Sequence, residues 1–80
     1  METRVAVISI IVENPDSVQE VNGFLHQFSE YIIGRMGIPY KEKKVNVITV
    51  VMDAPQTTIN SLTGKLGMIN GVSSKVLTTK

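Results

Sequence analysis

Two runs of apolar, mostly β-branched residues dominate the hydrophobic pattern, Val5–Val12 and Val45–Met52. In the first run one alternating face is wholly apolar and the other is nearly so, and the second run is similar. Strands that are apolar on both sides are typical of the centre of a sheet. The pattern therefore predicts two central strands, over residues 4–13 and from about Val45 to about Asp53.

A stretch with helical periodicity follows the first strand. Asn14 is a good N-cap, Pro15 suits the first helical position, and Asp16 complements the positive end of the helix dipole. The pattern predicts a helix from about Pro15 to about Glu30. Its sheet-facing stripe comprises Val18, Val21, Leu25, Phe28 and Ile32.

The second strand run leads into another amphipathic stretch. Asp53 stands two residues before Pro55, as Glu13 does before Pro15, and this arrangement favours a helix start. Asn70-Gly71 is typical of a helix end. The predicted stripe of this helix comprises Ile59, Leu62, Leu66 and Ile69.

The two remaining segments predict edge strands. Residues 34–40 contain two glycines and a proline, which favour a bent or bulged edge, and residues 72–79 are more polar. Right-handed crossovers then place the first and third strands in the middle. We therefore predict one α+β domain over residues 1–80, a ferredoxin-like βαββαβ sandwich. Its four-stranded antiparallel sheet has the order 4-1-3-2, with both helices on one face.

This topology leaves the other sheet face without a helix. That face is predicted to carry Val5, Val7, Ile11, Val47 and Val51. Each such side chain forgoes about 1.5–3 kcal/mol if it stays in water instead of being fully buried. Apolar patches of this kind mark interfaces. We therefore expect a homo-oligomer, a dimer or a tetramer, with this face or an edge strand at its interface.

Composition narrows the possible functions. The chain has no cysteine and a single histidine, His26, so we expect no cofactor and no tight nickel, zinc or iron site. A net charge of +1 with four Phe and Tyr residues and no Trp argues against specific nucleic-acid binding. The longest apolar run is about half of the ~20 residues that span a membrane. With no signal-peptide pattern at Met1, we expect a cytoplasmic protein without membrane contact.

Candidate chemistry is sparse. Gly64-Lys65 resembles a phosphate-loop fragment but lies within a predicted helix, so Gly64 more simply permits a close helix approach. No nucleophile and base stand out, which argues against an enzyme. The segment from Gly34 to Gly37 is either an edge strand shaped for assembly or a ligand site with Arg35 as its cation. In the second interpretation the ligand surface combines this segment with the first strand–helix turn. Its predicted residues are Asn14, Asp16, Gly34, Arg35 and Gly37.

Two motifs resemble a known family. Residues 31–40, YIIGRMGIPY, and residues 62–72, LTGKLGMINGV, resemble the iron-only hydrogenase system regulators. These short proteins have an ACT-like ferredoxin fold, similar to the C-terminal domain of nickel-responsive regulators. The resemblance covers Arg4 to Lys75 and implies a regulatory role around hydrogenase expression or maturation.

We expect three properties of these relatives not to carry over to this chain. Nickel-responsive regulators bind metal through several His and a Cys, whereas this chain has only His26. Their DNA-binding ribbon–helix–helix lies N-terminal to this fold, and Met1 is only a few residues from the first predicted strand. Amino-acid-binding ACT domains favour an acidic residue, Pro and Gly at the first turn, where this chain has Asp16 instead of the Gly.

The sequence thus predicts a non-enzymatic regulatory or ligand-sensing module that forms a homo-oligomer and has a small-molecule or protein partner. One alternative is a transcriptional regulator that binds DNA directly, as the family name suggests. Another is a small enzyme, because this fold hosts many functions.

Overall fold

The computed structural model describes residues 2–80, and in them strands and helices follow one another in the predicted order. The order is β1 (Arg4–Val12), α1 (Val18–Gln27), β2 (Ile32–Tyr40), β3 (Val45–Ala54), α2 (Gln56–Gly67) and β4 (Val72–Thr78). Short 3-10 turns flank α1, at Pro15–Ser17 and Ser29–Tyr31. The α+β assignment is therefore confirmed.

The four strands form one antiparallel sheet in the order β2-β3-β1-β4. This is the predicted order 4-1-3-2 read from the other edge. The two apolar runs are the central strands, paired from Arg4 opposite Ala54 to Val12 opposite Asn46. The glycine- and proline-containing β2 and the polar β4 lie at the edges. Sequence composition thus separated central from edge strands correctly.

The core lies between the sheet and one layer of helices. Alternate residues of β1 from Ala6 to Val12 are fully buried, and so are alternate residues of β3 from Val50 to Ala54. The helices contribute Val21, Leu25, Ile59, Leu62 and Leu66, each with no exposed surface. These are members of the two predicted stripes, which confirms that both helices face the same side of the sheet.

The first helix differs from the prediction at both ends. It was expected from about Pro15 to about Glu30, but α1 covers only Val18–Gln27, between the two 3-10 turns. At its start the Asn14 side chain accepts a hydrogen bond from the Asp16 N–H at 3.0 Å, which tightens the first turn. Ile32, predicted to continue the helical stripe, is the first residue of β2.

A register shift between Ile32 and Gly34 bends the start of β2. Ile32 lies opposite Met52 and Gly34 opposite Val51, so Ile33 is an extra residue in the pairing. A bulge of this kind increases the local twist of an edge strand. The bent or bulged edge expected from the glycines is therefore confirmed.

The close approach expected at Gly64 is wrong. A Cβ atom added at Gly64 would meet nothing within 4 Å, because the residue lies on the exposed side of α2. The close approach occurs at Gly71 instead, where φ is +77° and an added Cβ would lie 2.7 Å from the Asn14 Cβ. Only glycine combines this backbone conformation with so little space.

Candidate functional site

The sheet face opposite the helices, called here the open face, holds all five residues predicted to form an interface. Strand pairing assigns to it the alternate residues of each strand. They are Val5, Val7, Ser9 and Ile11 of β1, Val45, Val47, Thr49, Val51 and Asp53 of β3, Gly34, Met36, Ile38 and Tyr40 of β2, and Ser73, Lys75 and Leu77 of β4.

Three rows of neighbouring residues cross this face from β2 to β4. An upper apolar row and a lower apolar row enclose a central row, called the polar row because it contains two hydroxyls and an ammonium group. The rows are Gly34–Val51–Val7–Leu77, Met36–Thr49–Ser9–Lys75 and Ile38–Val47–Ile11–Ser73. The strand register that creates this order was not visible in the sequence.

The apolar side chains of the open face are accessible in a single chain. Leu77 is 76% exposed, Met36 58% and Ile11 45%. Four strands about 4.8 Å apart, with some nine residues of about 3.3 Å each, give a face of roughly 550 Å². Two such faces together reach about 1,100 Å², near the lower limit for a specific protein–protein interface.

Within one chain, the structure does not unite the five residues predicted to bind a ligand. Gly34 lies level with Val7 across the sheet, whereas Asn14 and Asp16 follow the far end of β1. Seven residues of extended chain separate Val7 from Asn14, which corresponds to roughly 20 Å. A joint surface would need a second copy of the chain, and this ligand site stays a prediction.

The Arg35 side chain is hydrogen-bonded to α1. It lies opposite Val50, on the helix side of the sheet, and its Nη2 donates a hydrogen bond to Asn22 Oδ1 at 2.7 Å. Gly37 shares this side, whereas Gly34 belongs to the open face. A Cβ at either glycine would meet nothing within 4 Å, so contacts within the chain do not explain these glycines.

The first strand–helix turn is part of the predicted ligand surface, and its N–H groups could bind an anion only if they were free. The structure pairs them internally: the Asp16 N–H binds Asn14 Oδ1, the Ser17 N–H binds the Asn14 carbonyl at 2.9 Å, and the Val18 N–H binds the Pro15 carbonyl. An anion at this turn would have to displace these bonds, because each N–H has only one proton to donate.

Two hydrogen bonds join this turn to the turn between α2 and β4. The Glu13 N–H donates to the Gly71 carbonyl at 2.7 Å, and the buried Ser17 hydroxyl donates to the Asn70 carbonyl at 2.7 Å. We call this arrangement the paired turns. The sequence signalled each turn separately, through Asn14-Pro15 and Asn70-Gly71, but not their contact.

A cavity of about 250 Å³ lies beside the turn between β2 and β3. Pro15, Pro39 and Tyr40 form part of its wall, together with Lys41 and Lys44. Lys44 has a φ of +56°, in the left-handed region that most side chains avoid. With Lys43 these lysines form a basic cluster in the sequence, and all three are exposed to solvent.

Other types of site find little support in residues 2–80. In these residues no group of three or more His, Cys, Asp or Glu side chains is placed to hold a metal ion. His26 lies on α1 next to the stripe residue Leu25 and is exposed to solvent. In the same part of the chain, no helix is both long and apolar enough to cross a membrane.

Comparison with known proteins confirms the resemblance carried by the two motifs. The model of the TM1266-like family, described as "Iron-only hydrogenase system regulator, putative", matches residues 4–76. The chain belongs to this family. It is also similar to the solved structure of the uncharacterized protein TM1266 from Thermotoga maritima, with a TM-score of 0.94 and 38% sequence identity. That match covers 99% of this chain and 100% of the Thermotoga chain.

A more distant likeness concerns the fold alone. Part of a formyltetrahydrofolate deformylase from Pseudomonas putida superimposes with a TM-score of 0.65 and 10% identity, covering 90% of this chain but 28% of that one. No protein with a curated function matches the chain significantly. The family membership of the TM1266-like chain and its α+β sandwich are thus established by independent findings.

Proposed function

We propose that this TM1266-like chain is a non-enzymatic regulatory module of an iron-only hydrogenase system, and that it works as a homodimer joined through the open face. The observation that carries the proposal is the apolar surface that the two central strands present on both sides of the polar row. Five Val and Ile side chains of this surface belong to the face without helices: Val5, Val7, Ile11, Val47 and Val51.

Burial of the open face supplies the driving force. Val5, Val7 and Ile11 are 37–45% exposed in the single chain, so a partner can remove substantial apolar surface from water. Each Å² of apolar surface that is buried contributes about 25 cal/mol. An 80-residue domain gains proportionally more from such burial, because it buries only a modest fraction of its own surface.

The arrangement of the rows favours a second copy of the chain over an unrelated partner. A two-fold axis along the strands places each row on the same row of the partner. A two-fold axis across the strands, through the polar row, exchanges the two apolar rows. In both cases the Val and Ile side chains of the two central strands meet one another and the polar row meets itself, as an isologous interface requires.

The description of the family as a regulator supports a role other than catalysis. A dimer of this kind can regulate by changing its assembly when a small molecule or a protein binds. Ligand sensing of this type is part of the proposal and is linked to dimerisation by mass action.

A genetic replacement in the host organism tests the function. Val47→Lys places a charge in the lower apolar row, whereas Ser61→Lys adds the same charge on the exposed side of α2. We expect deletion of the gene to change hydrogenase expression or activity, and Val47→Lys to reproduce the deletion. Ser61→Lys should behave as the wild type. Unchanged hydrogenase levels in the deletion strain would contradict a regulatory role.

A further inference from the structure

Two Asn-Gly pairs occur in the chain, Asn22-Gly23 and Asn70-Gly71. In this dipeptide the backbone nitrogen of the glycine can attack the side-chain amide of the asparagine, because glycine has no side chain to obstruct the approach. The reaction needs a glycine N–H without a hydrogen-bond acceptor and an asparagine side chain that is free to rotate. The structure gives the two pairs opposite environments in both respects.

Asn22-Gly23 lies inside α1, and both of its reacting groups are held. The α-helix pairs the Gly23 N–H with the carbonyl four residues earlier, that of Gln19. The Asn22 Oδ1 accepts the 2.7 Å hydrogen bond from the Arg35 Nη2. This pair is therefore protected, although Asn22 is exposed to solvent.

Asn70-Gly71 lies between α2 and β4, and its reacting groups are unpaired. Asn70 is exposed, and neither its side chain nor the Gly71 N–H forms a hydrogen bond within residues 2–80. The bonds of the paired turns use the carbonyl groups of these two residues, which neither attack nor leave. A larger residue at position 71 cannot shield Asn70, because the positive φ and the nearby Asn14 require glycine there.

We propose that Asn70 is a site of spontaneous deamidation, which converts it to isoaspartate or aspartate in the folded protein while Asn22 stays intact. The Gly71 nitrogen loses its proton and bonds to the Asn70 Cγ. The bond from Cγ to Nδ2 breaks, and Nδ2 takes up a proton and leaves as ammonia. Water then opens the cyclic imide. Cleavage between the Gly71 nitrogen and Cγ gives aspartate, and cleavage between that nitrogen and the backbone carbonyl carbon gives isoaspartate. Each conversion consumes a water molecule and releases an ammonia molecule, without oxidation or reduction.

The isoaspartate product disrupts the paired turns. Its main chain runs through Cβ and Cγ of residue 70 and is longer by a methylene group. The Ser17 hydroxyl binds the carbonyl of Asn70 and the Glu13 N–H binds that of Gly71, both at 2.7 Å, so the longer chain cannot keep both acceptors in place. Both products also add a negative charge beside Glu13, which makes a chain of net charge +1 neutral. The inference does not depend on the proposed dimer.

Ageing of the folded chain in mildly alkaline buffer tests the proposal, because alkali favours the deprotonated nitrogen. Ion-exchange chromatography measures the loss of positive charge, and peptide mapping by mass spectrometry locates it. We expect Asn70 to be converted about tenfold faster than Asn22 or more, since Asn22 reacts only when α1 opens locally. In guanidinium chloride, which unfolds the chain, the two pairs should react at similar rates.

Three variants serve as controls. Asn70→Gln should lose the conversion at this position, because glutamine must close a larger ring and reacts much more slowly. Asn22→Gln should age as the wild type does. Asn70→Asp adds the charge without lengthening the main chain, and therefore separates the two effects of the modification.

The effect on the paired turns has its own measurement. A methyltransferase that methylates isoaspartate but not aspartate identifies the isoaspartate form in the aged protein. In that form the Glu13 amide should exchange its hydrogen about tenfold faster or more than in Asn70→Asp, because its acceptor is displaced.

Several results would overturn the inference. Equal conversion of the two pairs in the folded chain, or conversion of Asn22 alone, contradicts selective reaction at Asn70. Conversion of both pairs in guanidinium chloride but of neither in the folded chain would show that the paired turns protect Asn70. Charge loss at the wild-type rate in Asn70→Gln places the reaction elsewhere. Equal exchange of the Glu13 amide in the isoaspartate form and in Asn70→Asp contradicts the disruption of the paired turns.

Discussion

At the scale of single residues, Gly71 is where the backbone leaves least room for a side chain. Its φ of +77° and the 2.7 Å from an added Cβ to the Asn14 Cβ both oppose substitution. We expect Gly71→Ala to lower the free energy of unfolding by about 2 kcal/mol or more, through strain at positive φ and displacement of the paired turns. Urea unfolding at fixed protein concentration measures this change.

Gly64→Ala is the control for this substitution. Gly64 lies inside α2, where an added Cβ meets nothing within 4 Å. Alanine should therefore stabilise the protein by about 0.5–1 kcal/mol through its higher helix propensity. Equal losses in the two variants would contradict the specific role of the paired turns.

Arg35 allows the structural and the ligand-binding interpretations of the glycine segment to be separated. The bond from Arg35 to Asn22 is exposed, so Arg35→Ala should lower the free energy of unfolding by about 1 kcal/mol or less. Asn22→Ala should have a similar effect, and the double variant should add little, because both single changes remove the same bond.

The ligand-binding interpretation of Arg35 has a different signature. It requires that Arg35→Ala loses binding of a ligand or partner protein while the mass of the oligomer stays unchanged. Dissociation of the oligomer without a separate binding defect would assign Arg35 to the structure only.

At the scale of elements, hydrogen exchange distinguishes the open face from the β2 edge as the interface. β1 and β3 are paired on both sides, so we expect their amides to exchange most slowly. In a dimer joined through the open face, the amides of β2 that point away from β3 stay in water and exchange rapidly. Protection along the whole of β2 that persists in Val47→Lys would indicate that the interface lies at this edge instead.

The elements also show what the sequence could predict. The alternation in β1 and β3 depends on local spacing and was predicted correctly from it. Three residues of the predicted α2 stripe lie in that helix, whereas Ile69 is buried beyond its end, because α2 ends at Gly67 and not at Asn70-Gly71. The ends of α1 were not predicted correctly, because hydrogen bonds of Asn14 and the tight turn at Pro15 replace the first helical turn.

Contacts between segments that are distant along the chain could not be predicted from the sequence. The bond from Ser17 to Asn70 joins residues 53 positions apart, and no local pattern encodes it. The residues of the open face followed from alternation alone. The polar row did not, because it depends on the register that aligns Ser9 with both Thr49 and Lys75. The alternation of apolar residues also did not predict the hydrogen bond from Arg35 to Asn22 of α1.

At the scale of the whole molecule, the charge balance argues against specific DNA binding by the chain alone. The net charge is +1, and basic residues cluster only at Lys41, Lys43 and Lys44. DNA-binding proteins need several phosphate contacts to bind at physiological salt. We expect no sequence preference in a gel shift at about 150 mM salt. A preferred sequence that stays bound in the presence of non-specific competitor would favour the direct transcriptional regulator instead.

The mass of the protein in solution tests the central claim, that the open face joins two copies, most directly. We would measure light scattering at micromolar concentration for the wild type, Val47→Lys and Ser61→Lys. The wild type and Ser61→Lys should have twice the chain mass of 8.8 kDa, while Val47→Lys should have 8.8 kDa. A wild-type mass of 8.8 kDa, or a Val47→Lys dimer as stable as the wild type, would contradict the claim.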